Sequence, residues 1–156
     1  MRTVVIGSGS WGTALAQVLQ DNHQEVLVYG VAEAEVNDIN ENHKNSKYFG
    51  DVELNPELKA TTDIQCVKGA DIVLLAVPTI AIDPICHQIN DILDKKTIII
   101  NVSKGFHPET NERMSEVIRR CIDEDKLSSV VSLIGPSQDR KSTRLNSSHI
   151  TISYAV

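Results

Sequence analysis

The stretch RTVVIGSGSWGTALAQVL, residues 2–19, decides how the whole chain is read. Arg2 to Ile6 is a short, β-branched run stopped by Gly7, the pattern of a buried strand. Thr13 to Leu19 then shows helical spacing, with Leu15, Val18 and Leu19 expected on one face. Between the two, Gly7-Ser8-Gly9-Ser10-Trp11-Gly12 matches G-x-G-x-x-G. Six such residues alone also fit a plain strand-to-helix turn. The context separates the readings, because the motif leaves a strand and opens a helix. In that setting Gly7 permits the tight turn and Gly9 lets the backbone approach a pyrophosphate. Gly12 lets the helix pack close to the strand. The first-turn N–H groups and the positive end of the helix dipole then receive the phosphates.

Outward from this loop, strands and helices alternate. Glu25 to Tyr29 reads as a second strand and Glu33 to Asn42 as a second helix, followed by a polar, loop-like stretch over 43–57. A short strand near Leu58–Thr61 and a helical turn from Asp63 to Val67 come next. Asp71 to Val77 is a continuous apolar run ended by Pro78, as expected where both faces of a parallel sheet are covered. A helix from about Ile80 to Leu93, a strand over Thr97–Ser103, a helix from Thr110 to Asp123 and a sixth strand over Ser129–Ile134 complete the series. This rhythm predicts an α/β fold with a doubly wound parallel sheet, a Rossmann-type dinucleotide-binding domain.

Bulk properties agree. A chain of 156 residues, 41% hydrophobic and 23% charged, has room for one domain with a proper core. A net charge of −6 argues against a nucleic-acid surface but leaves phosphate ligands open, since backbone N–H groups hold those without net positive charge. Cys66, Cys86 and Cys121 are odd in number and widely spaced, which suggests neither a disulfide framework nor a zinc site. No signal peptide or membrane span is evident, so a cytoplasmic location is expected. His23, His43, His87 and His107 lack ligand-like spacing and are expected in loops and on helix surfaces, with no metal site.

Ligands of open parallel sheets sit at the carboxyl ends of the strands, where strand order reverses. The unusual residues fall at those ends: the glycine loop, Pro78-Thr79, Lys104-Gly105 and Gly135-Pro136-Ser137. Together they would line one crevice.

The segments GSGSWGTALA (7–16), INENHKNSKYF (39–49), LAVPT (75–79), VSKG (102–105) and IGPS (134–137) resemble the N-terminal domain of bacterial NAD(P)-dependent glycerol-3-phosphate dehydrogenase. The likeness covers about residues 1–137, taken as the dinucleotide-binding domain. It implies interconversion of sn-glycerol 3-phosphate and dihydroxyacetone phosphate for phospholipid synthesis, with NAD or NADP as cofactor and a small phosphorylated substrate as partner. It leaves a homodimer open for the full-length enzyme. It places the cofactor against Ser10, Trp11, Tyr48, Lys104, Gly135 and Ser137, and Gly7, Gly9, Gly12, Val31 and Pro78 at the strand ends complete that set. Lys104, Gly135 and Ser137 would also meet the substrate. For Lys104 the chemistry agrees, since a flexible ammonium is a good point-charge partner for a phosphate. Trp11 either packs or offers its backbone N–H to the cofactor, or does both.

Two stretches depart from the family. Where many members carry a basic pair suited to a 2′-phosphate, this chain has Val31 and Ala32, with Glu33 next. An acid about 20 residues past the last glycine suits a ribose 2′-hydroxyl, though Glu33 also suits a helix N-terminus. After Gln138 comes DRKSTRLNSSHITISYAV, which fits neither the family nor the βα rhythm. Residues 138–156 are therefore expected to be a tail foreign to the family, with only Ile150–Val156 able to add to a sheet edge. The helical domain carrying the catalytic lysine is expected to be absent, and no proton-transfer catalyst is assigned within this chain. Two other readings remain open: another reductase of a phosphorylated or hydroxy-acid substrate, or a module that binds dinucleotide without turnover.

Overall fold

The continuous apolar runs form the middle of one sheet. The computed structural model describes residues 1–134 and 151–155. Its strands are β1 (Arg2–Ile6), β2 (Glu25–Tyr29), β3 (Lys59–Thr61), β4 (Ile72–Leu75), β5 (Thr97–Asn101), β6 (Leu127–Ile134) and β7 (Thr151–Ala155). They lie in the order β3-β2-β1-β4-β5-β6-β7. The pairings from β3 through β6 are parallel, and β7 runs antiparallel to β6. The chain starts at β1, moves outward to β2 and β3, then returns to β4 on the other side of β1. That reversal opens a crevice at the carboxyl ends of β1 and β4.

Side chains alternate across the pleat, so each apolar strand feeds two cores. Val4 and Ile6 of β1, Val73 and Leu75 of β4 and Ile99 of β5 pack on one face with α4 (Thr79–Asn90) and α5 (Met114–Cys121). Val5 and Leu74 point the other way, into a core with Ala16 of α1 (Ser10–Asp21) and Val36 of α2 (Glu33–Asn37). Each fully buried aliphatic side chain contributes about 1.5–3 kcal/mol from removal of apolar surface from water. Among the described residues no helix is long and apolar enough to cross a membrane.

Beyond shifts of a few residues at the ends of β4, β5, β6 and α4, the structure departs from the sequence reading in four places. First, α1 turns Gly12, Thr13 and Ala16 into the sheet, with Leu15 and Leu19 flanking, and leaves Val18 57% exposed. The contact at Gly12 sets the helix's rotation, and Val18 falls on the far side. Second, α2 gives way to a π-helical turn over Asp38–Asn42. There the Asp38 carboxylate accepts from the Ser46 N–H at 2.8 Å and from Asn42, which holds its pKa below the usual value. Third, the stretch read as loop carries α3 (Ser46–Phe49) and a bridge between Lys44 and Glu53.

Fourth, α5 begins at Met114 rather than Thr110. The preceding residues wrap the buried His107, whose Nδ1 accepts from the N–H groups of Glu109 and Thr110 at 3.3 Å each. The apolar end of the chain does add to the sheet edge, as β7. The expectation for residues 138–149 lies outside the described residues.

Ile99 has no exposed surface, whereas Ile80 in the first turn of α4 is 53% exposed. Chemical denaturation is expected to show Ile99→Ala losing about 2–5 kcal/mol. Ile80→Ala should stay within about 0.5 kcal/mol of the parent chain.

Candidate dinucleotide-binding crevice

The glycine loop is built by steric exclusion. Gly7 has φ +119°, and a Cβ there would stand 2.3 Å from the Ala76 carbonyl oxygen. A Cβ on Gly12 would lie 1.9 Å from the carbonyl oxygen of Gly7. Helix α1 thus sits directly on the loop, and the loop directly on the end of β4. Gly9 differs, because a Cβ there would meet nothing within 4 Å. Its backbone is extended (φ −73°, ψ −171°), so the protein itself does not require glycine at this position. Gly9 is also the N-cap of α1 and makes no side-chain cap. The first-turn N–H groups are therefore left for a ligand.

A buried amide holds this loop from below. Asn45 is fully buried, and its Nδ2 donates to the Ser8 carbonyl at 2.8 Å and to Thr13 Oγ1 at 2.9 Å. Thr13 Oγ1 donates to the same carbonyl at 3.2 Å. The Ser8 hydroxyl donates to Glu35 Oε2, and Lys47 Nζ meets Glu35 Oε1 at 3.0 Å. That carboxylate raises the Lys47 pKa. Gly30 makes room for the arrangement, since a Cβ there would lie 2.4 Å from Ser8 Oγ.

The crevice has a volume of about 740 Å³, within the ordinary range for small-molecule sites. Gly7, Gly9, Ser10, Trp11, Val31, Tyr48, Pro78 and Lys104 all line it. Gly12 does not line it and instead supports the floor. Gly135 and Ser137 lie outside the described residues. Trp11 is 63% exposed, which rules out core packing as its role. Past β5, Asn101 Oδ1 accepts from the Ser103 N–H at 3.1 Å, and Ser103 Oγ donates to the Val77 carbonyl. These bonds brace the turn that carries Lys104. Among the described residues no ion pair or hydrogen bond engages the Lys104 ammonium, in contrast to Lys47.

Sequence reading missed several contributors. Asn45 sits inside the 39–49 segment, but nothing in the pattern says that its amide reaches back to Ser8. The acid facing the crevice is Glu35, whereas Glu33 is exposed outside it. Gly30, a glycine at the end of β2, was a readable signal for a close approach. Burial pushes the Cys66, Cys86 and Cys121 thiols up to about 11, 12 and 11, so none supplies a thiolate near neutral pH.

Comparison with known proteins gives a consistent result. Residues 2–155 match the model of the NAD-dependent glycerol-3-phosphate dehydrogenase N-terminus. A glycerol-3-phosphate dehydrogenase [NAD(P)+] from Listeria monocytogenes is 47% identical over 137 residues, which cover 87% of this chain and 40% of the relative. One from Macrococcus caseolyticus is 46% identical over 138 residues, covering 88% of this chain and 42% of its own length. The crystal structure of glycerol-3-phosphate dehydrogenase from Coxiella burnetii superposes with a TM-score of 0.77 at 26% identity, over 87% of this chain and 41% of that one. The chain thus spans about 40% of the length of the relatives it matches. On the family match and these identities, the chain belongs to the NAD-dependent glycerol-3-phosphate dehydrogenase family, at its N-terminal domain.

Proposed function

We propose that the crevice binds NAD(H) or NADP(H), and that this chain is the nucleotide-binding part of an enzyme interconverting sn-glycerol 3-phosphate and dihydroxyacetone phosphate. The uncapped start of α1, held against β1 and β4 by Gly7 and Gly12, carries the proposal. In that role the N–H groups of Ser10, Trp11 and Gly12 take the pyrophosphate, and Trp11 and Tyr48 flank the cofactor. Lys104 is assigned to the substrate phosphate because its charge is not already matched within the described residues. Gly135 and Ser137 keep the cofactor and substrate roles that the family resemblance implies.

The cofactor supplies hydride chemistry when bound, and this chain's residues bind, orient and exclude water. Proton transfer is assigned to no residue of this chain. Residues 1–137 are taken as the nucleotide domain, supported by the alignments over 137 residues. The family model runs on to residue 155. The boundary is nevertheless kept at 137, because residues 139–149 have neither apolar period nor turn-and-helix pattern. Three free cysteines suit a reducing, cytoplasmic setting, and the product would feed phospholipid synthesis.

Gly9→Val tests the proposal directly. The open space at Gly9 predicts a folded protein with near-parental stability, while the new side chain occupies the position of the pyrophosphate. Calorimetry should show NADH binding lost, and unchanged affinity would overturn the loop's role.

Lys104→Ala is to be measured in a chimera joining residues 1–137 to the remainder of the Listeria monocytogenes relative. Loss of a charge-assisted contact there removes about 1.5–3 kcal/mol. The expected result is a roughly tenfold to hundredfold fall in kcat/KM for dihydroxyacetone phosphate, and no change would remove Lys104 from the site.

Coenzyme choice follows from the end of β2. Val31 is 85% exposed, Ala32 adds no charge, and the nearby Lys47 is paired with Glu35. NADH is expected to bind at least as tightly as NADPH, and Val31→His with Ala32→Arg should shift preference toward NADPH. A clear NADPH preference in the unmodified chain would contradict this.

A further inference from the structure

On the face of the sheet covered by α4 and α5, three side chains of different chemistry converge. Asp83 and His87 are one turn apart on α4, and Cys121 ends α5. His87 Nε2 stands 3.1 Å from Asp83 Oδ1, and Cys121 Sγ stands 3.6 Å from the same oxygen. The three ligand atoms all lie within 4.8 Å of one another. From these positions we propose a zinc-binding site formed by Asp83, His87 and Cys121, clamping α4 to α5 and separate from the nucleotide crevice.

The spacing suits a tetrahedral ion. Zinc bonds of about 2.0–2.1 Å to nitrogen and oxygen and about 2.3 Å to sulfur, at tetrahedral angles, put neighbouring ligand atoms about 3.3–3.6 Å apart. Two of the three edges are already close to that. The His87 side chain is 61% exposed, so a small rotation toward Cys121 meets solvent rather than packed atoms, and the open side leaves a fourth position to water. A thiolate, an imidazole and one carboxylate select zinc over magnesium or calcium, which take oxygen donors.

The surroundings balance the charge. Arg120 Nη2 holds the other oxygen of Asp83 at 3.0 Å, fixing the carboxylate with Oδ1 toward the site. Glu112 engages the same guanidinium through both oxygens, at 3.0 and 3.2 Å, and so offsets the cation nearest the ion. With Cys121 as thiolate and His87 neutral, Asp83, Cys121 and Glu112 carry three negative charges against Arg120 and a divalent ion. The sum is zero. Binding forms the metal–sulfur bond and displaces the Cys121 thiol proton to solvent. Sequence reading passed over this group because Asp83 and His87 are one helical turn apart but their third partner is 34 residues further along the chain.

Cobalt(II) is the probe, because thiolate ligation gives it a near-ultraviolet charge-transfer absorption. Titrating the reduced chain with cobalt should produce that band, and an equimolar addition of zinc should remove it. Cys121→Ser should abolish the band, with folding checked by circular dichroism. His87→Ala, on an exposed helix face, should weaken cobalt binding at least about tenfold while leaving the fold intact. No band in the parent chain, the same band in a folded Cys121→Ser protein, or unchanged affinity in His87→Ala would each overturn the site.

Discussion

The structure depends on one steric constraint: α1 approaches the end of β1 so closely that no Cβ fits between them. The contact at Gly12, against the Gly7 carbonyl, and the contact at Gly7, against the Ala76 carbonyl, lock helix, loop and β4 into one unit. A side chain at Gly12 would push the helix outward and carry its N–H groups away from the crevice, and one at Gly7 would push the loop off the end of β4. The same approach sets the rotation of α1, which is why Val18 faces solvent while Ala16 is buried. A packing constraint at two glycines therefore determines both a core face and the mouth of the crevice.

Once the helix end is in place, an acidic protein can hold a phosphate-rich ligand with little positive charge. The chain carries a net charge of −6. Its crevice has two cationic side chains among the described residues, and one of these, Lys47, is matched by Glu35. In the proposed binding mode, oriented backbone donors and a helix dipole do most of the anion binding. Asn45 fixes the orientation of those donors by holding the Ser8 carbonyl. The Glu35 carboxylate of α2 ties Ser8 to Lys47 of α3, so the loop is braced from both sides.

How much of this the sequence disclosed follows from the range of the interactions. The limits of β1 and β2 were readable to the residue, because continuous apolar runs report burial on both faces. The parallel sheet followed from the alternation of strands and helices. Gly7, Gly9, Pro78 and Lys104 could be placed in the crevice because they fall at strand ends, whereas Tyr48 came only with the family resemblance; Gly135 and Ser137 lie outside the described residues. What stayed hidden rests on contacts between distant segments. The amide of Asn45 reaching Ser8 across 37 positions leaves no periodic trace, and the short helix at Ser46–Phe49 follows from such contacts. The choice between Glu33 and Glu35 depends on the start and phase of a five-residue helix, which spacing alone does not fix. The start of α5 depends on a buried histidine that composition would place on a surface.

The central claim is that the backbone N–H groups opening α1 receive the pyrophosphate. Amide chemical shifts during an NADH titration measure this most directly. Pyrophosphate held at the start of α1 should give large, saturating shifts for Ser10, Trp11 and Gly12, with the amides of α5 essentially unmoved. Saturable NADH binding that leaves those three amides unchanged, or shifts centred on another part of the sheet, would contradict it.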